Sequence, residues 1–115
     1  MGLFIGIDYG RKWCGLARSE GELADPLMAV PTGKVVETVK KLQPDLVVVG
    51  VSESLMARES LGFAKKLAKM LSLPVTTVDE TLTSFEAEEI SRDKKKQHAI
   101  AAALILQRYL DGKDV

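Results

Sequence analysis

The sequence has little cysteine, no long apolar run and no signal-peptide pattern. The chain has 115 residues and a single cysteine, Cys14, so no internal disulfide can form and a reducing compartment is expected. No apolar run approaches the roughly 18 to 20 residues that cross a bilayer. An aspartate interrupts the N-terminal apolar run early, which is unlike a signal peptide. We therefore expect a cytoplasmic protein with no membrane association.

Charge excess and aromatic side chains are also lacking. The 16 basic and 16 acidic residues give a formal net charge of zero, so there is no bulk attraction to nucleic acid. A net charge of zero does not exclude a local basic patch. Aromatic residues make up 5% of the chain, so stacking on single-stranded bases is not an evident binding mode. The apolar fraction of 46% is ordinary, and residues 1–115 are expected to form a single domain.

The hydrophobic pattern predicts an α/β fold. Strands are predicted at residues 3–9, 13–18, 27–31, 45–51 and 73–80, with Pro26 and Pro31 indicating a sheet edge or irregular strand ends. Helices are predicted at residues 33–43, 56–71, from TLTSFEAEEI onward, and at 98–110. The first three strands form an antiparallel meander, and the other two alternate with helices. This order indicates a five-stranded mixed sheet, with two parallel strands beside the meander and helices on its faces.

Two helices carry apolar faces that predict how they pack. The helix at 56–71 aligns Leu61, Ala64, Leu67, Ala68 and Leu71, which we expect to face the core. The helix at 98–110 is apolar around most of its circumference, so it is expected to be buried against the sheet.

Acidic residues follow the predicted core strands. Asp8 lies at the C-terminal end of the first strand, Glu53 follows the strand at 45–51, and Asp79 and Glu80 end the strand at 73–80. Ligands of open α/β sheets bind beyond the carboxyl ends of strands, and oxygen ligands suit Mg²⁺ and Mn²⁺. Other interpretations of these acids stay open. Asp79 is also suited to accept hydrogen bonds from backbone N–H groups, Glu53 to be solvated in a loop, and Glu80 to be an exposed acid. Asp8 is the hardest to explain otherwise, because apolar residues precede it.

Four blocks of sequence resemble one family when they are taken together. They are FIGIDYGRKWCGLARSE, DLVVVGVSES, VDETLTSFEAE and HAIAAALILQRYLD. In this order and spacing they resemble the YqgF family, whose members are similar to the resolvase RuvC and have an RNase H-like fold. The resemblance implies a nuclease that trims the 5′ end of precursor 16S rRNA or resolves Holliday junctions. It also implies a triad of side chains holding Mg²⁺ or Mn²⁺, mapped here to Asp8, Glu80 and His98.

The chain departs from the family pattern at the implied site. His98 stands where an aspartate is usual and Thr81 where an arginine is usual; in the loop GRKWCG, Arg11 and Trp13 differ from the common residues. His98 has two interpretations, as a metal ligand or as a structural helix-cap residue. A neutral imidazole ligand removes one negative charge from the site, so weaker Mg²⁺ binding and a preference for Mn²⁺ are expected.

Basic residues flank the implied ligands. Lys94, Lys95 and Lys96 lead into His98, while Arg11 and Lys12 follow Asp8. They either contact the nucleic-acid backbone or form a solvated charge run. Four further basic residues are predicted to form the solvent face of their helix: Arg58, Lys65, Lys66 and Lys69.

Three functions are compatible with these residues. The leading hypothesis is a metal-dependent nuclease, a monomer or homodimer, that cleaves structured RNA or branched DNA through a metal-activated water. The alternative is a catalytically weakened binding module for nucleic acid or ribosome precursors. A phosphate-binding turn like that of actin and the sugar kinases is disfavoured, because those enzymes need two such domains around the nucleotide.

Overall fold

The computed structural model describes residues 2–51, 57–79 and 93–112. Its five strands form one sheet in the order β3-β2-β1-β4-β5. The strands are β1 (Phe4–Asp8), β2 (Trp13–Ser19), β3 (Asp25–Pro31), β4 (Leu46–Val51) and β5 (Val75–Asp79). The β1–β2 and β2–β3 pairs are antiparallel, whereas β1–β4 and β4–β5 are parallel. The predicted five-stranded mixed sheet is therefore confirmed, with β3 at an edge.

Helices cover both faces of the sheet. A short 3₁₀ turn (Thr32–Lys34) leads into α1 (Val35–Leu42), and α2 (Ala57–Leu71) follows β4. The third helix, α3 (Lys94–Gly112), is the C-terminal element of the described residues. None of the helices in these ranges is long and apolar enough to cross a membrane.

One face of the sheet packs against α1 and α2. Its core holds Ile5, Ile7, Leu16, Val47 and Val49 from the strands, with Val35, Val39, Ala64 and Leu67 from the helices. The predicted inward position of Leu61 is wrong, since it is 43% exposed. Ser60 is buried in its place, because the line Ser60–Ala64–Leu67 faces the sheet and Leu61 lies about 100° around the helix from it.

The opposite face packs against α3 at very short range. Ala102, Ile105 and Leu106 of α3 form a buried cluster with residues of β2 and β4. A Cβ at Gly6 would lie 2.7 Å from both the Ala102 carbonyl oxygen and the Leu106 Cβ, so the helix backbone almost touches the sheet. The prediction that this apolar helix is buried against the sheet is confirmed.

The helix α3 begins one turn earlier than its hydrophobic pattern predicts. Asp93 caps it, since its Oδ1 accepts hydrogen bonds from the backbone N–H groups of Lys95 (2.9 Å) and Lys96 (3.1 Å). The predicted start at His98 is wrong, because the first turn contains three lysines and therefore shows no apolar pattern. His98 therefore lies in the second turn. The helix predicted from TLTSFEAEEI, together with Glu53 and Glu80, lies outside the described residues.

Candidate metal and nucleic-acid site

Asp8 lies at the carboxyl end of the central strand and faces α3. Ile5 and Ile7 point to the α1–α2 side, so strand alternation turns Asp8 to the other side. Its side chain is 11% exposed. The residue paired with Asp8 on β2 is Gly15, which leaves the space beside the carboxylate free of a side chain. A carboxylate this buried needs a compensating partner.

His98 is that partner. Its Nδ1 lies 3.2 Å from Asp8 Oδ2, although ninety residues separate the two in sequence. The hydrogen bond to Asp8 raises the pKa of His98, and partial burial of the ring opposes this rise. The imidazole is 35% exposed, so the pair is accessible from solvent on one side. The structure thus brings together two of the three residues mapped by the resemblance.

Two glycines lie next to this contact, and one of them makes it possible. A Cβ at Gly15 would lie 2.7 Å from the backbone nitrogen of Ala99 and closer still to the His98 carbonyl. A Cβ at Gly10 would lie 3.6 Å from His98 Cε1 and would clash with the Trp13 carbonyl. Gly15 therefore sets how close the backbone at His98 comes to the sheet, whereas Gly10 is required by the approach of the Trp13 carbonyl. Sequence reasoning did not identify them as site residues, and the only signal was their position at the two ends of GRKWCG.

The pair fits two neighbouring ligands of one divalent cation. Ligand atoms at right angles around an octahedral ion, each about 2.0–2.1 Å away, are about 3 Å apart. The observed Oδ2–Nδ1 distance of 3.2 Å is close to this value, and carboxylate plus imidazole suits Mn²⁺. Within the described ranges no group of three His, Cys, Asp or Glu side chains surrounds such a position. Asp79 pairs with Val51 and faces the α1–α2 side, so it does not extend the site.

Basic side chains lie around the pair in two places. Lys94, Lys95 and Lys96 are exposed in the first turn of α3, and the Lys95 ammonium lies 4.4 Å from the centre of the Trp13 ring. Lys12 is exposed in the turn after β1.

The guanidinium of Arg11 is already engaged by a carboxylate. Its Nη2 lies 2.7 Å from Glu59 Oε1 and its Nε lies 3.1 Å from Glu59 Oε2. The Tyr9 hydroxyl also donates to Glu59, at 3.4 Å. Hydrogen bonding from Arg11 lowers the pKa of Glu59. Any contact of Arg11 with nucleic acid therefore has to compete with Glu59, a partner that the sequence pattern did not indicate.

The four basic residues of α2 that were predicted to face solvent are exposed: Arg58, Lys65, Lys66 and Lys69.

Comparisons with known proteins agree on one family. A family model described as RuvX, Holliday junction resolvase, matches residues 2–112. A relative in Synechococcus elongatus, named "Putative pre-16S rRNA nuclease", is 36% identical over 93% of this chain and 87% of its own. A relative of the same name in Anaeromyxobacter sp. is 33% identical over 96% of this chain and 97% of its own.

Solved structures share the fold at lower identity. T. thermophilus RuvC in complex with a Holliday junction substrate superimposes with a TM-score of 0.63 and 18% identity, over 96% of both chains. The fowlpox virus Holliday junction resolvase gives a TM-score of 0.62 and 13% identity, over 95% of this chain and 97% of its own. These likenesses show an RNase H-like fold, as the resemblance implied. The family model and the relatives show that this chain belongs to the RuvX (YqgF) family.

Proposed function

We propose that this protein is a nuclease that hydrolyses phosphodiester bonds of structured nucleic acid with a divalent metal ion. The observation that carries the proposal is the 3.2 Å approach of His98 Nδ1 to Asp8 Oδ2 at the carboxyl end of the central strand. The proposal is supported by the place of this contact at the carboxyl end of a strand, where open α/β sheets bind ligands, and by the partial exposure of the imidazole to solvent. Nucleases of the RuvC-like class generally use such ions.

Asp8 and His98 would hold Mg²⁺ or Mn²⁺, with Glu80 as the third ligand. When bound, the ion lowers the pKa of a water molecule and stabilises charge on the phosphate oxygens. Asp8 contributes the negative charge that attracts the ion, and its strand keeps the carboxylate fixed. His98 contributes a neutral nitrogen, which favours Mn²⁺ over Mg²⁺. The proposal includes Glu80 because it directly follows Asp79, which ends β5 on the far side of β4.

The favoured substrate is the 5′ end of precursor 16S rRNA. Support comes from the relatives of that name, which are more similar to this chain than are the resolvases known to bind Holliday junctions. Branched DNA is the second candidate substrate. In both cases Lys12, Lys94, Lys95 and Lys96 would contact backbone phosphates, with Arg11 joining when it leaves Glu59. The reaction would take place in the cytoplasm.

Cleavage assays with a matched acid substitution test the proposal. A 5′-labelled precursor 16S rRNA fragment and a four-way DNA junction are incubated with protein and Mn²⁺ or Mg²⁺. Asp8→Asn should abolish cleavage of whichever substrate the wild type cuts, whereas Asp25→Asn, on the exposed edge strand, should not. Cleavage that survives Asp8→Asn would refute the mechanism. Binding in EDTA without any metal-dependent cleavage would favour the weakened binding module instead.

The role of His98 has its own test. His98→Asp adds a third carboxylate to those of Asp8 and Glu80, so activity with Mg²⁺ should rise relative to activity with Mn²⁺. His98→Gln, which offers an amide of similar length, should lower activity with both ions. An unchanged ratio of Mn²⁺ to Mg²⁺ activity in His98→Asp would show that His98 does not touch the ion.

A further inference from the structure

The only tryptophan of the chain lies beside the Asp8–His98 pair. Trp13 begins β2, and Gly15, two residues further on, pairs with Asp8. Strand alternation puts Trp13 on the same side of the sheet as Gly15, which is the side of α3. The ring is half-buried, and the Lys95 ammonium lies 4.4 Å from its centre. A cation at this distance over an indole ring is attracted by its negative face.

The contact holds one lysine of the three in a defined place. The backbone of Lys95 is fixed at the start of α3, because its N–H donates to Asp93 Oδ1 at 2.9 Å. Its ammonium lies against the Trp13 ring, so both ends of this exposed side chain have a contact. Lys95 also lies three residues before His98 and therefore shares a face of α3 with it. Lys96 lies about 160° around the helix from His98.

We propose that Trp13 is a positioning residue, which holds the Lys95 ammonium where it contacts a backbone phosphate next to the bond that is cut. The substrate class rests on the proposed nuclease function. An ammonium has three N–H donors and the ring engages one side of it, so the remaining donors are available for phosphate oxygens. Because the contact with the ring restricts the side chain, binding should lose less conformational entropy than with a lysine that has no such contact.

Stacking of a base on Trp13 is the competing use of the same ring. The geometry favours positioning, since Lys95 covers a face of the ring and the side chain is only partly exposed. The two uses differ in one respect that can be measured. A positioning role acts through Lys95, whereas stacking on a base does not need the lysine.

A double-mutant cycle on nucleic-acid binding tests the proposal. The probes are a fluorescein-labelled four-way DNA junction and a labelled RNA hairpin with a 5′ extension, titrated in EDTA at several KCl concentrations. Lys95→Gln should weaken binding and reduce the slope of log K against log[KCl] by about 0.9 for the DNA probe. Lys69→Gln, the same charge change on the exposed face of α2, should leave affinity and slope nearly unchanged.

The tryptophan variants complete the cycle. Trp13→Leu should weaken binding about two- to fivefold, and Trp13→Phe should retain most of the affinity because a phenyl ring also attracts the cation. In the Lys95→Gln background, Trp13→Leu should have no further effect. Additive losses would overturn the proposal in favour of base stacking. Equal behaviour of Lys95→Gln and Lys69→Gln, or a wild type that binds neither probe, would also overturn it.

Failure of this inference and failure of the nuclease function give different results. The binding cycle is measured without metal, so it does not depend on cleavage. A coupled Trp13–Lys95 pair in a protein that never cleaves with Mn²⁺ would refute only the nuclease function. Cleavage that requires Asp8, combined with an additive cycle, would refute only the positioning role of Trp13.

Discussion

Because α3 packs so closely against the sheet, we predict that one methyl group added at Gly15 separates His98 from Asp8. In Gly15→Ala the new Cβ would lie 2.7 Å from the Ala99 nitrogen and closer to the His98 carbonyl, whereas ordinary contacts of this kind are 3.4–4 Å. Both clashing groups belong to the backbone of α3, so no side chain can rotate away. The first turns of the helix have to retreat from β2, by roughly 1 Å or more.

This displacement acts directly on His98, whose own carbonyl is in the clash. The contact between His98 Nδ1 and Asp8 Oδ2 is 3.2 Å long, so a retreat of that size takes it out of hydrogen-bond range. The contact with Asp8 is what raises the pKa of His98 above its ordinary value of 6.5. The pKa should therefore fall back toward or below 6.5 in Gly15→Ala. Overpacking should also cost about 1–3 kcal/mol of unfolding free energy.

Both quantities can be measured on the metal-free protein. His98 is the only histidine, so its ring gives a single set of imidazole NMR signals whose shift with pH reports its pKa. Urea unfolding gives the free energy. Gly33→Ala is the control, because a Cβ there meets nothing within 4 Å. A destabilised Gly15→Ala protein that keeps the raised pKa of His98 would show that glycine at this position does not set the site.

Three further predictions concern other parts of the fold. Gly62→Ala should raise the free energy of unfolding by roughly 0.5–1 kcal/mol, measured in urea, since the position is helical and a Cβ there meets no other atom within 4 Å. A lower free energy of unfolding would contradict the packing of α2. Burial raises the pKa of the Cys14 thiol above 9.0. The stability that the buried neutral thiol gives to the folded protein is therefore complete below pH 9.0, and it is lost as the pH rises through the pKa of Cys14 in the folded state. Unfolding measured at alkaline pH should show this decline, and Cys14→Ala should lack it. Glu59→Gln should free Arg11 and tighten nucleic-acid binding; unchanged affinity for the labelled junction would remove Arg11 from the interface.

The sheet could be predicted from sequence because each of its strands satisfies a local rule. The run at 46–51 is apolar throughout, as expected of a strand covered on both sides, and the prolines of β3 mark an edge. The same reasoning placed Asp8 at a strand end. The convergence of His98 on Asp8 came only from the family resemblance, because no local pattern links residues ninety positions apart.

The details that the sequence did not reveal depend on tertiary contacts. The start of α3 is set by a cap from Asp93, which overrides the unfavourable lysines in the first turn. Leu61 continues the apolar pattern of α2 but faces solvent, since the sheet contacts a line through Ser60 and Ala64. The pairing of Arg11 with Glu59 joins a turn to a helix that is distant in sequence, so spacing alone gave no indication of it.

The most direct test of the central claim is whether a metal ion binds between Asp8 and His98. Mn²⁺ is paramagnetic and broadens NMR signals only of nuclei close to it, so the imidazole signals of the single histidine report binding without any cleavage. We expect small additions of Mn²⁺ to broaden the His98 signals of the wild type, excess Mg²⁺ to restore them, and Asp8→Asn to require far more Mn²⁺. Sharp His98 signals at Mn²⁺ concentrations that saturate the protein would contradict the account.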